Sequence, residues 1–319
     1  MADHPTDRNE HFTASITTMT EPEQQADVAG VDCSGLTALV TGSTSGIGRE
    51  TALALGRLGA DVIVHGRDTT AGRAVVEELA AAGANATFES ADFADVSAVK
   101  SLAAAVDEWV DELDILVNNA GGLFREGRLT DIGVEYTFHV NHLAPYLLTA
   151  ELLPTLADDA RIVTTSSAAH RGVSLDLDAV ESVADYSSFQ AYQRSKLANI
   201  QFSSELARRL ELAGRPITAN AFHPGAIPGS GFTRFLPGPL SELAGLAGQL
   251  PFVPTPADGA ATAVYLVASP RVESVSGRYF ADCEPTEPAA PARDRTATRR
   301  LFDRSAALLD IPTPLPAGD

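Results

Sequence analysis

Tyr192 and Lys196 stand four residues apart in Tyr192-Gln193-Arg194-Ser195-Lys196. Inside a helix, that spacing puts the phenol and the ammonium on one face. A free tyrosine titrates at about pH 10, and a neighbouring cation lowers that value toward neutrality, as general acid–base work requires. Lysine is scarce here: Lys100 and Lys196 stand among 23 basic residues, which sharpens the pairing. A second cluster, Thr41-Gly42-Ser43-Thr44-Ser45-Gly46-Ile47-Gly48, joins a strand-like run to a helix-like one. Glycine at positions 42, 46 and 48 permits a tight bend and close backbone approach, leaving a helix N-terminus to hold a pyrophosphate. The chemistry to expect is that of a dinucleotide cofactor beside a titratable tyrosine.

The choice between the two nicotinamide dinucleotides rests on His65-Gly66-Arg67-Asp68. An acidic residue roughly twenty positions past the glycines bonds the adenosine ribose of NAD(H) and repels a 2′-phosphate. Here that position is Arg67, whose guanidinium suits a phosphate, so NADP(H) is favoured over NAD(H). Asp68, the next residue, keeps NAD(H) as the alternative. Asp92 can offer a carboxylate to the adenine amino group, with the Phe93 amide beside it, or cap the helix that follows. Asn118-Asn119-Ala120-Gly121 is small and amide-bearing, which lets a cofactor lie against the backbone. His65, His139, His142, His170 and His223 fall in no ligand spacing with cysteine or carboxylate, so no metal is expected.

These residues need strand ends and helix starts to hold them. Leu36–Thr41, Asp61–His65, Ala86–Ser90, Leu113–Asn118, Arg161–Ser166, Ile217–Phe222 and Arg278–Ala281 read as buried strands. Helical stretches lie between them at Gly46–Leu58, Ala71–Ala82, Val96–Val110, Val134–Leu156, Phe189–Leu212 and Pro256–Ala268. The alternation predicts an α/β, doubly wound parallel sheet, whose ligands bind beyond the carboxyl ends of the strands.

The 319 residues suffice for one large domain. Residues 34–283 are expected to form it, between a mobile polar extension (1–33) and a C-terminal tail (284–319). A net charge of −19 argues against nucleic acid and anionic lipid as partners. The arginine-rich, acidic composition has two readings, a salt-adapted surface or a GC-rich genome. No stretch reaches the roughly eighteen apolar residues of a membrane span, and residues 1–30 lack the pattern of a secretory signal. Two isolated cysteines, Cys33 and Cys283, fit a reduced cytoplasm.

Three motifs in order, T-G-x-x-x-G-I-G at Thr41 to Gly48, N-N-A-G at Asn118 to Gly121 and Y-x-x-x-K at Tyr192 to Lys196, resemble the short-chain dehydrogenase/reductase family. The resemblance spans Leu36 to about Asp282 and implies one Rossmann-type domain with a seven-stranded parallel sheet. It further implies that Tyr192 exchanges a proton with the substrate oxygen while Lys196 lowers the tyrosine pKa and bonds the nicotinamide ribose. On the same resemblance Ser167 holds the substrate oxygen and the Asn141 backbone supports a relay water. Pro224 and Gly225, with Ile227 after them, flank the nicotinamide, and a homodimer or homotetramer is the family's habit.

Between Ser167 and Tyr192 the spacing is 25 residues, longer than in most of the family. With S-S-A-A-H, S-K-L-A-N and H-P-G, this resembles the branch containing retinol dehydrogenases, which implies an NADP(H)-linked alcohol or carbonyl substrate of apolar character. Phe232, Phe235, Leu236, Leu240, Leu243, Leu246 and Phe252 either line an apolar substrate pocket or pack as an amphipathic helix. Two other functions stay open: a catalytically silent NADP(H) sensor, and reduction of a carbon–carbon double bond.

Overall fold

A computed structural model of the chain describes residues 21–227 and 254–315. The β-branched runs become β1 (Thr37–Val40), β2 (Asp61–Gly66), β3 (Ala86–Ser90), β4 (Leu113–Asn118), β5 (Leu156–Thr165), β6 (Thr218–Phe222) and β7 (Tyr279–Ala281). These seven pair in parallel, in the order β3-β2-β1-β4-β5-β6-β7. Helices cover both faces of such a sheet, so strand residues alternate between two apolar layers and not between core and water. Leu39 and Leu116 enter one layer, whereas Ala38, Val40, Ile115 and Val117 enter the other.

The described helices are α1 (Pro22–Gln25), α2 (Gly46–Arg57), α3 (Thr69–Ala81), α4 (Val96–Trp109), α5 (Tyr136–Phe138), α6 (Ala144–Leu152), α7 (Ser188–Leu212), α8 (Pro256–Ala268), α9 (Ala290–Arg293) and α10 (Arg295–Leu308). Buried residues of α2, α3 and α8 fill one layer, and those of α4, α6, α7 and α10 the other. Between α5 and α6 the chain makes a π turn at His139–Leu143. From β1 the sheet grows toward β3 on one side and toward β7 on the other, so the loops after β1 and β4 diverge. That divergence is the crevice in which ligands of this sheet type bind.

Three expectations are corrected. The sheet has an eighth strand: Asp282 and Cys283, at φ of 50° and 61°, turn the chain back into β8 (Glu284–Pro285), antiparallel to β7. Two successive positive φ values make a tight hairpin, and with no glycine at either position the turn carries no sequence signal. Up to residue 315 the C-terminal stretch is no tail. Within it Leu301, Phe302 and Ala306 are buried, and Arg209 of α7, 1% exposed, meets Asp303 at 2.7 Å and Glu205 at 2.8 Å while lying 4.3 Å above the Phe302 ring. Likewise, within the polar N-terminal extension Ala26, Val28 and Cys33 are buried in the layer that holds α8.

Candidate active site

At the crevice, a hydrogen-bond knot ties the loops after β1 and β4 together. The Thr41 hydroxyl accepts from the amides of Asn119 (2.9 Å) and Ala120 (3.0 Å) and donates to the Val117 carbonyl at 3.1 Å. The Asn119 carboxamide returns a bond to the Thr41 carbonyl at 2.9 Å. Gly42 takes φ +66°, and a Cβ there would sit 2.8 Å from the Ala120 Cα. A Cβ on Gly48 would meet both the Asn119 amide nitrogen and the Gly42 carbonyl at 2.4 Å. Glycine is therefore needed at both places for the turn to close against the second loop. Helix α2 starts at Gly46, after Ser45, whose exposed side chain makes no capping bond to the first turn. Among the described residues no side chain caps that turn, and N–H groups at a helix start suit an anion.

On the adenosine side, Arg67 is 64% exposed at the end of β2, and its Nη1 lies 4.0 Å from the Asp92 carboxylate. Asp68 is committed otherwise: its Oδ1 accepts from the Ala71 amide at 3.0 Å and caps α3. Asp92 accepts from the Ala94 amide at 3.1 Å, but the cap of α4 is Asp95. Phe93 is buried and stacks on His65, centroid to centroid 4.6 Å.

Ser167, Tyr192 and Lys196 meet beyond β5. Ser167 hydrogen-bonds the Tyr192 phenol; burial raises the phenol's pKa above its ordinary value and this bond offsets only part of the rise, contrary to the lowering expected from Lys196. The Lys196 ammonium lies 5.6 Å from the Tyr192 ring centre, donates to the Thr165 carbonyl at 3.0 Å, and has no salt-bridge partner among the described residues. Burial alone pushes it down to about 8. Asn141 lies in the π turn; its side chain accepts from the Gly122 amide (2.9 Å) and donates to the Gly122 carbonyl (2.8 Å) and the Ser195 hydroxyl (2.9 Å). A Cβ on Gly121 would fall 2.7 Å from the Asn141 Oδ1 and 3.7 Å from the Lys196 Nζ, so the loop after β4 reaches these side chains.

Other candidates sit at the margin. The Asn118 carboxamide points into the core, donating to Thr149 at 3.0 Å, so only its backbone faces the crevice side of the strand end. Ile227 is buried: a Cβ on Gly259 of α8 would touch both Ile227 (2.9 Å) and Ile47 (3.0 Å). Pro224 and Gly225 follow β6, with the Gly225 amide donating to His223 Nδ1 at 3.1 Å. The long Ser167–Tyr192 connection folds onto the loop after β4, where the Tyr186 hydroxyl donates to the Phe124 carbonyl at 2.6 Å. The apolar residues 232–252 expected to cover the substrate lie outside the described residues.

Residues 36–235 match the family model for the short chain dehydrogenase. The chain belongs to the short-chain dehydrogenase family. It is 39% identical to Retinol dehydrogenase 14 of Mus musculus over 312 residues, covering 91% of each chain. A solved structure of an uncharacterised Mycobacterium paratuberculosis protein superposes with a TM-score of 0.72 at 31% identity, over 90% of this chain and 98% of that one. A short-chain dehydrogenase of Burkholderia cenocepacia in complex with NADP gives a TM-score of 0.62 at 30% identity, over 77% of this chain and 96% of that one. This chain is accordingly an NAD(P)-dependent alcohol/carbonyl oxidoreductase of retinol dehydrogenase-like sequence.

Residue patterns alone missed two supports of this dehydrogenase's site. His65 accepts the Gly42 amide through Nδ1 (3.3 Å) and donates through Nε2 to the Ala91 carbonyl (3.2 Å), joining the glycine turn to the loop after β3. Burial pushes its pKa down to about 4, so the ring stays neutral and can do both. Its place just before Gly66-Arg67 was the available signal. Gly259 gave none, because its need for a missing side chain arises only from α8 crossing Ile47 and Ile227.

Proposed function

We propose that this dehydrogenase interconverts an apolar alcohol and its carbonyl compound with NADP(H), using Tyr192 as the general acid or base. The observation that carries the reading is the buried Lys196 ammonium beside Tyr192 and Ser167, with a single hydrogen bond and no anionic partner among the described residues. Burying a cation without a counter-charge is costly, so its remaining donors call for ribose hydroxyls and for charge developing on the phenol. The uncapped first turn of α2 fits a pyrophosphate, and exposed Arg67 next to an already committed Asp68 favours a 2′-phosphate. A bound nicotinamide supplies or takes the hydride. In reduction, Ser167 orients the carbonyl oxygen and Tyr192 gives it a proton, leaving a phenolate that Lys196 stabilises. Burial keeps the phenol protonated, the form that suits this direction.

The mouse relative's name supports an apolar substrate. No described helix is long and apolar enough to cross a membrane, and the free thiols of Cys33 and Cys283 support a reducing compartment such as the cytoplasm. The test is product analysis after incubation with NADPH and an α,β-unsaturated long-chain aldehyde. The allylic alcohol is the expected product; the saturated aldehyde would show that a carbon–carbon double bond is the target instead.

A further inference from the structure

His170 belongs to none of the roles above, yet it is fully buried three residues after Ser167. It ends the short helical turn Ala168–His170 that the Ser167 hydroxyl caps by accepting from the Ala169 amide at 3.1 Å. Its two ring nitrogens reach opposite ways. Nδ1 lies 2.7 Å from the Ser167 carbonyl, and Nε2 lies 3.1 Å from the Ala289 amide nitrogen. A backbone amide can only donate and a carbonyl can only accept. Nε2 must therefore carry the lone pair and Nδ1 the proton. The Ser167 carbonyl then receives two donors, the ring and the His170 backbone amide at 3.1 Å.

The surroundings hold that single state. Burial, with the Arg171 guanidinium nearby, keeps the imidazole below its ordinary pKa against the pull of the Ser167 carbonyl. The Tyr279 ring packs edge-on at 5.1 Å. Arg171 donates to the Glu287 carbonyl at 2.8 Å, so the same turn is stitched twice to the stretch just before α9. From the other side Gln193 of α7 donates to the Ala169 carbonyl at 3.0 Å.

We infer that His170 is a positioning residue for Ser167: its neutral Nδ1–H tautomer, oriented by the Ala289 amide, fixes the backbone of the serine that holds the substrate oxygen. The inference rests on the proposed role of Ser167. A displacement of a reacting group by as little as an ångström costs rate without altering cofactor affinity.

Two measurements on the full chain test it. In nitrogen-15 NMR at neutral pH, the imidazole signal that disappears in His170→Asn should show a protonated Nδ1 and a bare Nε2; an Nε2-protonated ring there overturns the inference. With NADPH and a medium-chain aliphatic aldehyde, His170→Phe should lower kcat about tenfold with the KM for NADPH unchanged. His170→Asn, which keeps a donor for the Ser167 carbonyl, should recover most of the loss. His170→Gln, which reaches Ala289 but not that carbonyl, should not. Equal kcat in the Asn and Gln variants overturns the inference even if the Phe variant fails to fold. If Ser167→Ala abolishes turnover while His170→Phe matches the unaltered protein, His170 is not needed; if Ser167→Ala retains full turnover, it is the underlying reading of Ser167 that fails.

Discussion

Arg67 and Asp68 are adjacent, yet the structure gives them different work. The aspartate is spent on the first turn of α3, whereas the arginine stands exposed where an adenosine ribose would lie in this sheet type. If NADP(H) is the cofactor, as proposed, Arg67→Asp would remove a charge-assisted phosphate contact and add repulsion. The Kd for NADPH, measured by calorimetry, should rise by about tenfold or more while that for NADH changes little. An unaltered preference would remove Arg67 from the account. Lys196 shows the same principle in a buried setting, since among the described residues one carbonyl satisfies one of its three donors.

At the scale of elements, α10 is the largest surprise. It lays Leu301, Phe302 and Ala306 on α6 and α7 and takes part in holding buried Arg209. The Tyr146 hydroxyl also donates to the Phe302 carbonyl at 3.0 Å, and His142, next to Asn141, meets Ser305 at 2.9 Å. Phe302→Ala should cost about 3–5 kcal/mol of stability in denaturant titrations. A loss below about 1 kcal/mol would mean that α10 is an accessory to the fold. The strands and crossover helices were legible because apolar runs and amphipathic stretches declare themselves locally. Helix α10 was less legible: Thr298, Leu301, Phe302, Ser305 and Ala306 fall at helical spacing, but two of these five are hydroxyl residues and four arginines make the segment read as polar. The pairing of Tyr192 with Lys196 follows from helix spacing, whereas Ser167 joins them only through the family resemblance. The inward turn of Asn118 follows from neither, since one residue's shift at a strand end decides which face it takes.

For the whole molecule, pH is the sharpest lever. Burial pushes His65 and His139 down to about 4 and His142 to about 3, so all three are neutral when folded. Once unfolded they bind protons from about pH 6.5 downward. Between that value and about pH 4 the unfolded chain holds more protons, so stability is intact above the window and falls as pH drops through it. Each histidine contributes on the order of 1 kcal/mol per pH unit to that loss. The midpoint of thermal unfolding should therefore decline from pH 7 to pH 5, and a flat profile would argue against the neutral buried rings.

The central claim is that Tyr192 moves the proton in an NADP(H)-linked carbonyl reduction. Its most direct test compares the unaltered protein with Tyr192→Phe, following NADPH absorbance with long-chain aldehydes and measuring NADPH binding separately. The account predicts turnover in the former, a loss of about a hundredfold or more in the latter, and NADPH affinity kept in both. Turnover that survives in the Tyr192→Phe protein would contradict it.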